Sequence, residues 1–177
     1  NGITNVLNNM GGSSKVLLGA VLGGMMAFDM GGPLNKAAYV FGTASLASGQ
    51  FDIMAAVMVG GMVPPLAIAL CTTFFKKKFT ERERQSAVTN YVMGLSFITE
   101  GAIPFAAADP LHVIPCTMAG AGVAGLLSAL FECTLMAPHG GVFVFATVGN
   151  PLMYIVAWLA GSAVTCVLLG LLKKKVA

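Results

Sequence analysis

The chain has 177 residues, 56% of them hydrophobic and only 10% charged, against about 25% charged in soluble domains. A mean hydropathy of +0.83 is more apolar surface than so short a chain can hide in a core, which excludes an ordinary water-soluble domain and makes lipid the solvent. The formal net charge of +3 does not point to nucleic acid, because eight of the ten basic residues fall in two clusters, each directly after an apolar run.

Those clusters are Lys76-Lys77-Lys78 with Arg82 and Arg84, and Lys173-Lys174-Lys175. They follow the positive-inside pattern, which assigns both to the cytoplasmic face, against anionic lipid head groups. The chain begins with Asn1 rather than Met, so it is expected to start inside a longer protein or at a truncated end. The four cysteines, Cys71, Cys116, Cys133 and Cys166, lie in or beside apolar runs without CxxC or metal-like spacing and read as small buried hydrophobes.

In chain order, the first apolar segment is Val16 to Phe28, short, with Gly19 and Gly23 forming a GxxxG face suited to close helix packing. It runs into Asp29-Met30-Gly31-Gly32-Pro33-Leu34-Asn35-Lys36, a polar break. A half-helix end here would present amide and ammonium groups to a sugar or an incoming phosphoryl group. The competing reading is that Asp29 caps a helix and Lys36 snorkels to the interface. Residues 37 to 52 read as a mixed connector carrying glycine, serine, Gln50 and Asp52. Ile53 to Phe75 is an uncharged span with a kink expected at Pro64-Pro65. A cytoplasmic amphipathic arm, residues 76–90, follows, with Thr80 and Glu83 placed to form a capping box.

Residues 91–110 are apolar enough to enter a membrane, but Glu100, Gly101 and Pro104 break them at the centre. Val113 to Phe131 is a second uncharged span. Residues 137–151, containing Pro138-His139-Gly140-Gly141 and ending at Asn150-Pro151, form another interruption, and Leu152 to Leu172 is the last span. If both basic clusters face the cytoplasm, an even number of crossings separates them. Two crossings remain when 91–110 and 137–151 each dip in and return. The expected fold is therefore an all-α, polytopic helical bundle with two re-entrant hairpins. Non-helical backbone at membrane depth is tolerated only where protein or a watery cavity covers it, so the hairpin tips are expected to line a binding site.

Glu100 is the sharpest chemical signal. An ionised carboxylate at the bilayer centre costs at least ~2.5 kcal/mol and needs water, a partner or a ligand. It suits a polyhydroxy substrate, since it accepts hydrogen bonds from two hydroxyls at once and can orient or partly deprotonate one of them. The alternative is a buried ion pair with Lys36 or His112 that pins the hairpin. Thr99 adds a hydroxyl and Gly101 allows close approach of the backbone. His139 sits on the second tip, as a ligand contact or a structural hydrogen-bonder. His112 and Glu132 read as interfacial. No phosphate-binding loop and no metal-like cluster is present in the sequence, so no cofactor and no metal are expected.

The stretches GLSFITEGAIPFAAADP (94–110), FDMGGPLNKAAYVFG (28–42) and APHGG (137–141), in this order and spacing, closely resemble the membrane-embedded enzyme IIC of the bacterial phosphotransferase system, its fructose-specific branch above all. The resemblance runs through nearly all of the chain and implies that residues 1–177 are the C-terminal half of a IIC domain. It implies a homodimeric permease of the bacterial inner membrane. Such a permease carries a sugar across while a cytoplasmic IIB domain transfers a phosphoryl group from its phosphocysteine to a sugar hydroxyl, for fructose the 1-hydroxyl. The glutamate of the family's GITE-like motif maps onto Glu100, the group expected to be catalytic; here the motif begins with Phe97. The PHGG-like histidine maps onto His139, and the GGPxNK stretch supplies Asn35 and Lys36. With Thr99 and Asp29 these complete the expected substrate-binding set. Two rivals stand beside this reading. One is an ion-gradient-driven secondary transporter using Asp29, Glu100 and Asp109. The other is a non-catalytic membrane scaffold.

Overall fold

The computed structural model describes residue 9 and residues 12–175; the Asn1 start lies outside them. The central post is α3, Phe51–Phe74, after α1, Gly12–Phe28, and α2, Pro33–Ala47. At 24 residues, α3 is about 36 Å long, enough to cross a ~30 Å hydrocarbon core. Its apolar window is 94% buried, against 44% in α6, Pro110–Leu130, and α7, Pro151–Leu172. The other two helices therefore keep an exposed apolar face while α3 is enclosed. These three helices match the uncharged spans of the sequence to within three residues. Between α3 and α6 come a 3-10 turn at Lys76–Lys78, α4 at Glu81–Leu95, a 3-10 segment at Thr99–Ala102 and α5 at Ile103–Ala108.

The two basic clusters meet at one end of the bundle. Lys78 Nζ donates to the Lys173 carbonyl at 2.5 Å. Lys173 Nζ lies 3.2 Å from Asp109 Oδ2 and 5.3 Å from the centre of the Phe79 ring. At the other end Lys15 pairs with Asp52 at 3.3 Å, joining the starts of α1 and α3. There, too, Asn150 Nδ2 donates to the Phe131 carbonyl at 3.2 Å, joining the end of α6 to the start of α7. So α1, α3 and α7 run one way and α6 the other.

Small residues let these helices approach closely. A Cβ on Gly23 would collide with the Ala121 carbonyl, and one on Gly19 would lie 2.5 Å from the Gly125 carbonyl. The GxxxG face is thus the α1–α6 contact. Between α6 and α7, Gly120 and Gly161 face each other's backbone in the same way. In lipid, where no hydrophobic effect drives helices together, such close packing supplies much of the adhesion.

The stretch read as a mixed connector is helix for most of its length. Pro33 starts α2 at a position where its missing N–H costs nothing, and both Asp29 carboxylate oxygens cap it, accepting from the Leu34 amide at 2.7 Å and the Asn35 amide at 2.9 Å. Asn35, Ala38, Gly42 and Ser45 then form a buried stripe at the three- and four-residue spacing of one helix face. Gly, Ser and Thr dilute the intrinsic helix signal here, and tertiary burial overrides it.

The capping box forms as expected: the Glu83 amide donates to Thr80 Oγ1 at 3.2 Å, and the Thr80 amide donates to Glu83 Oε2 at 2.9 Å. Helix α4 continues without a break through residue 90, so the polar arm and the first leg of the Glu100 segment are one element. The chain turns at Phe97 and returns through α5. The Phe79 and Phe105 rings, 6.2 Å apart, hold departure and return together at the basic end. The His139 segment does the same from the opposite end. It leaves through β1, Thr134–Leu135, and returns through a 3-10 segment at Gly141–Thr147 into β2, Val148–Gly149, which pairs antiparallel with β1. The two tips meet at Gly141, where a Cβ would strike the Leu95 carbonyl, while Ile98, Glu100, Pro138 and His139 stay exposed.

Two outcomes follow from this packing. Gly23→Val should cost on the order of 1–3 kcal/mol by overpacking, read as a lower unfolding midpoint in detergent, and an unchanged midpoint would contradict the α1–α6 contact. Burial pushes the Asp109 carboxyl up, but hydrogen bonds and charge from His112 and Lys173 outweigh it and hold the group below its ordinary value of 3.8. A depressed carboxylate stabilises the fold above its unfolded value, and that stabilisation is lost as pH falls through the folded value. Wild type should therefore lose stability below pH 3.8 more steeply than Asp109→Asn does in pH-dependent melts.

Candidate functional site

Pro64 and Pro65 lie inside α3 and have no N–H to give to the carbonyls four residues earlier, Gly60 and Gly61. Gly61 stands near the midpoint of the helix. Its carbonyl is taken instead by Thr99, whose buried hydroxyl donates to it at 2.9 Å. The Phe97 ring lies over the same glycine, where a Cβ would run into it. Phe97 is 4% exposed and adopts φ +60°, a left-handed conformation that costs a non-glycine residue about 1–3 kcal/mol unless its surroundings enforce it. Here they do: the ring lies against Gly61 of α3, 6.4 Å from the Tyr39 ring of α2 and, tilted, 4.8 Å from the His139 imidazole.

Around this point a cavity of ≈ 190 Å³ is lined by Met26, Asn35, Tyr39, Phe97, Ile98, Thr99, Glu100 and His139. It is smaller than the roughly 300–1,000 Å³ of drug-sized sites, so it suits a small solute. Its lining comes from the α1–α2 break, the first tip and the second tip. All three interruptions marked in the sequence end at one depth.

Glu100 is exposed towards this space. It makes no hydrogen bond or ion pair among the described residues. The ion pairs weighed from the sequence do not form. His112 is engaged with Asp109 at 2.8 Å at the basic end, and Lys36 stands exposed on α2, outside the lining. The Glu100 side chain is backed by Gly31, at φ +107°, where a Cβ would sit 2.8 Å from Oε1. Any larger residue at 31 would displace the carboxylate.

Asn35 is buried, and its Nδ2 donates to the Met26 carbonyl at 2.8 Å, one of the carbonyls left over at the end of α1. Its amide oxygen has no partner among the described residues. Asp29 is spent on capping α2 and does not line the cavity. The cavity therefore brings together four of the six residues singled out, Asn35, Thr99, Glu100 and His139, and leaves Asp29 and Lys36 at its margin. Tyr39, Phe97, Ile98 and Met26 were not singled out. Tyr39 follows Asn35 by one turn and becomes legible only once α2 is seen to be a helix. Among the described residues, no three His, Cys, Asp or Glu side chains group to hold a metal ion.

A bundle of apolar helices whose broken segments line an open polar cavity defines a multi-pass integral membrane protein. The comparisons agree. A family model described as "Phosphotransferase system, EIIC" matches residues 1–120, and the chain belongs to this family and is embedded in the bacterial inner membrane. The chain is 55% identical over 176 residues to the fructose permease IIC component of Bacillus amyloliquefaciens, covering 99% of this chain and 58% of that protein. It is 54% identical to the PTS system fructose-specific EIIABC component of Bacillus subtilis (strain 168), covering 99% of this chain and 28% of that one. It is 47% identical to the fructose-specific EIIB'BC component of Escherichia coli (strain K12), covering 98% and 31%. The chain thus spans little more than half of the first of these relatives and under a third of the other two. No solved structure matches it.

The bond from Thr99 to the proline-orphaned carbonyl is testable. Thr99→Val should cost about 1–3 kcal/mol, the penalty of a buried carbonyl left unpaired. Adding Pro65→Ala, which returns the missing N–H, should recover part of that loss. Equal or additive losses in chemical-denaturation midpoints would show that the carbonyl is satisfied otherwise.

Proposed function

We propose that this chain is the sugar-handling part of a phosphotransferase permease that moves fructose, or a closely related ketose or polyol, across the inner membrane while the sugar is phosphorylated. The observation that carries this reading is Glu100, an unpaired carboxylate facing a small cavity at the mid-depth of the longest helix. Such a group is stabilised by donors arriving with the cargo, and sugar hydroxyls are donors. The relatives' names specify fructose.

In this reading the Glu100 segment and the His139 segment are re-entrant hairpins from opposite membrane faces. Glu100 accepts hydrogen bonds from one or two hydroxyls. Asn35 offers its free amide oxygen, His139 a ring nitrogen, and Thr99 the lone pairs left after its bond to Gly61. Asp29 acts at one remove, by fixing α2. Lys36, exposed and without an ion pair beside Asn35, is the cation available to an incoming phosphoryl group.

The family resemblance implies a phosphocysteine on a IIB domain as the phospho-donor, and the four cysteines here, all buried, do not offer one. In the transfer the phosphorus–sulfur bond breaks and a phosphorus–oxygen bond forms to the sugar hydroxyl. The thiolate departs, and the hydroxyl proton passes to Glu100 or to water. Fused IIB regions are part of the names of several relatives. An ion-coupled transporter fits less well. Of its three candidate carboxylates, Asp29 is held by two backbone amides and Asp109 by His112 and Lys173.

Glu100→Gln should accumulate and fold normally yet lose at least about 100-fold in phosphoenolpyruvate-dependent fructose uptake, the scale of a lost catalytic base. Uptake near wild type would refute this assignment.

A further inference from the structure

The chain has three tyrosines, and two have their hydroxyls engaged within the protein. Tyr154 donates to the Ala55 carbonyl at 2.7 Å. The Tyr91 oxygen lies 2.6 Å from Thr73 Oγ1 and donates to the Ala69 carbonyl at 3.2 Å. The third, Tyr39, makes no hydrogen bond among the described residues and lines the cavity. Tyrosines that are even partly buried ordinarily find a partner for the hydroxyl.

Tyr39 is held where it stands. It lies one turn beyond Asn35 on the same face of α2. That helix is fixed by the Asp29 cap at one end and, further along, by Gly42 against α3, where a Cβ would lie 2.8 Å from Met54 Sδ. Its ring sits 6.4 Å from Phe97 and, edge-on, 6.5 Å from His139. The cavity thus combines a cluster of rings, Tyr39, Phe97 and His139, with the Glu100 carboxylate and the Asn35 amide. A monosaccharide has matching parts, with C–H faces that pack on rings and hydroxyls that need polar partners.

Resting on the cavity proposed above, we infer that Tyr39 is a cargo-binding residue. Its phenol hydroxyl bonds one sugar hydroxyl that Glu100 does not hold, and its ring packs against a C–H face of the sugar.

The test is Tyr39→Phe in membranes containing the complete permease and its phospho-donor partners, with fructose and its monodeoxy analogues as probes. Losing one neutral hydrogen bond should raise the fructose KM about two- to tenfold, with a smaller change in kcat and an unchanged unfolding midpoint. For one deoxy analogue, wild type and Y39F should have the same KM, because the partner hydroxyl is already gone. An unchanged fructose KM, or an equal wild-type-to-variant ratio for every analogue, would overturn the inference. A variant that fails to fold would also overturn it, by making the hydroxyl structural. Glu100→Gln in the same assay separates the two levels. If it transports normally, the cavity reading fails; if it is inactive while Y39F matches wild type, only the role of Tyr39 fails.

Discussion

Inside hydrocarbon, a backbone group that leaves the helix ladder has no water to bond, so it must be satisfied by the protein itself. This chain leaves the ladder at three places and satisfies loose backbone groups with short polar side chains, within the α1–α2 break and, at Gly61, from the first tip. The Gly61 carbonyl, released by Pro65, takes the Thr99 hydroxyl. The Met26 carbonyl, left over where α1 ends, takes the Asn35 amide. The first amides of α2 are taken by Asp29. The first tip is tied in this way to the prolines of α3, and the other two breaks meet it there.

The same requirement produces the cavity. Three chain reversals cannot fill space as a continuous helix does, and the space between them is bounded by the groups that turns need: glycines at positive φ, a strained Phe97 and short polar side chains. Among the described residues, the side-chain polar groups lining it that lack a protein partner are the Glu100 carboxylate, the His139 ring, the Tyr39 hydroxyl and the Asn35 oxygen. These remaining groups face one another across a volume of monosaccharide scale. Function is thus located by what the structural bonds leave over.

Much of this was legible in the sequence. Uncharged runs of helix length marked α3, α6 and α7, and the basic clusters after two of them placed their ends together. Charge and glycine inside apolar stretches marked Glu100 and His139 as interruptions, and Thr80 with Glu83 marked the start of α4. Helix α2 was not legible, because Gly42, Thr43 and Ser45 carry weak helix propensity and only burial makes Asn35, Ala38, Gly42 and Ser45 a face. The division of labour within the GGPxNK stretch was hidden for a different reason. Asp29 and Asn35 are both short polar residues near a helix start, and only the fold assigns one to capping and the other to the cavity. Tyr39 and Phe97 were missed because an aromatic residue in an apolar run signals burial, whether or not a ligand lies beside it.

A structure of the complete permease with fructose bound tests the central claim most directly. The account predicts the sugar between α2 and the two tips, with at least one hydroxyl within about 3 Å of a Glu100 oxygen. A sugar seated elsewhere, or Glu100 closed in an ion pair with no hydroxyl in reach, would contradict it.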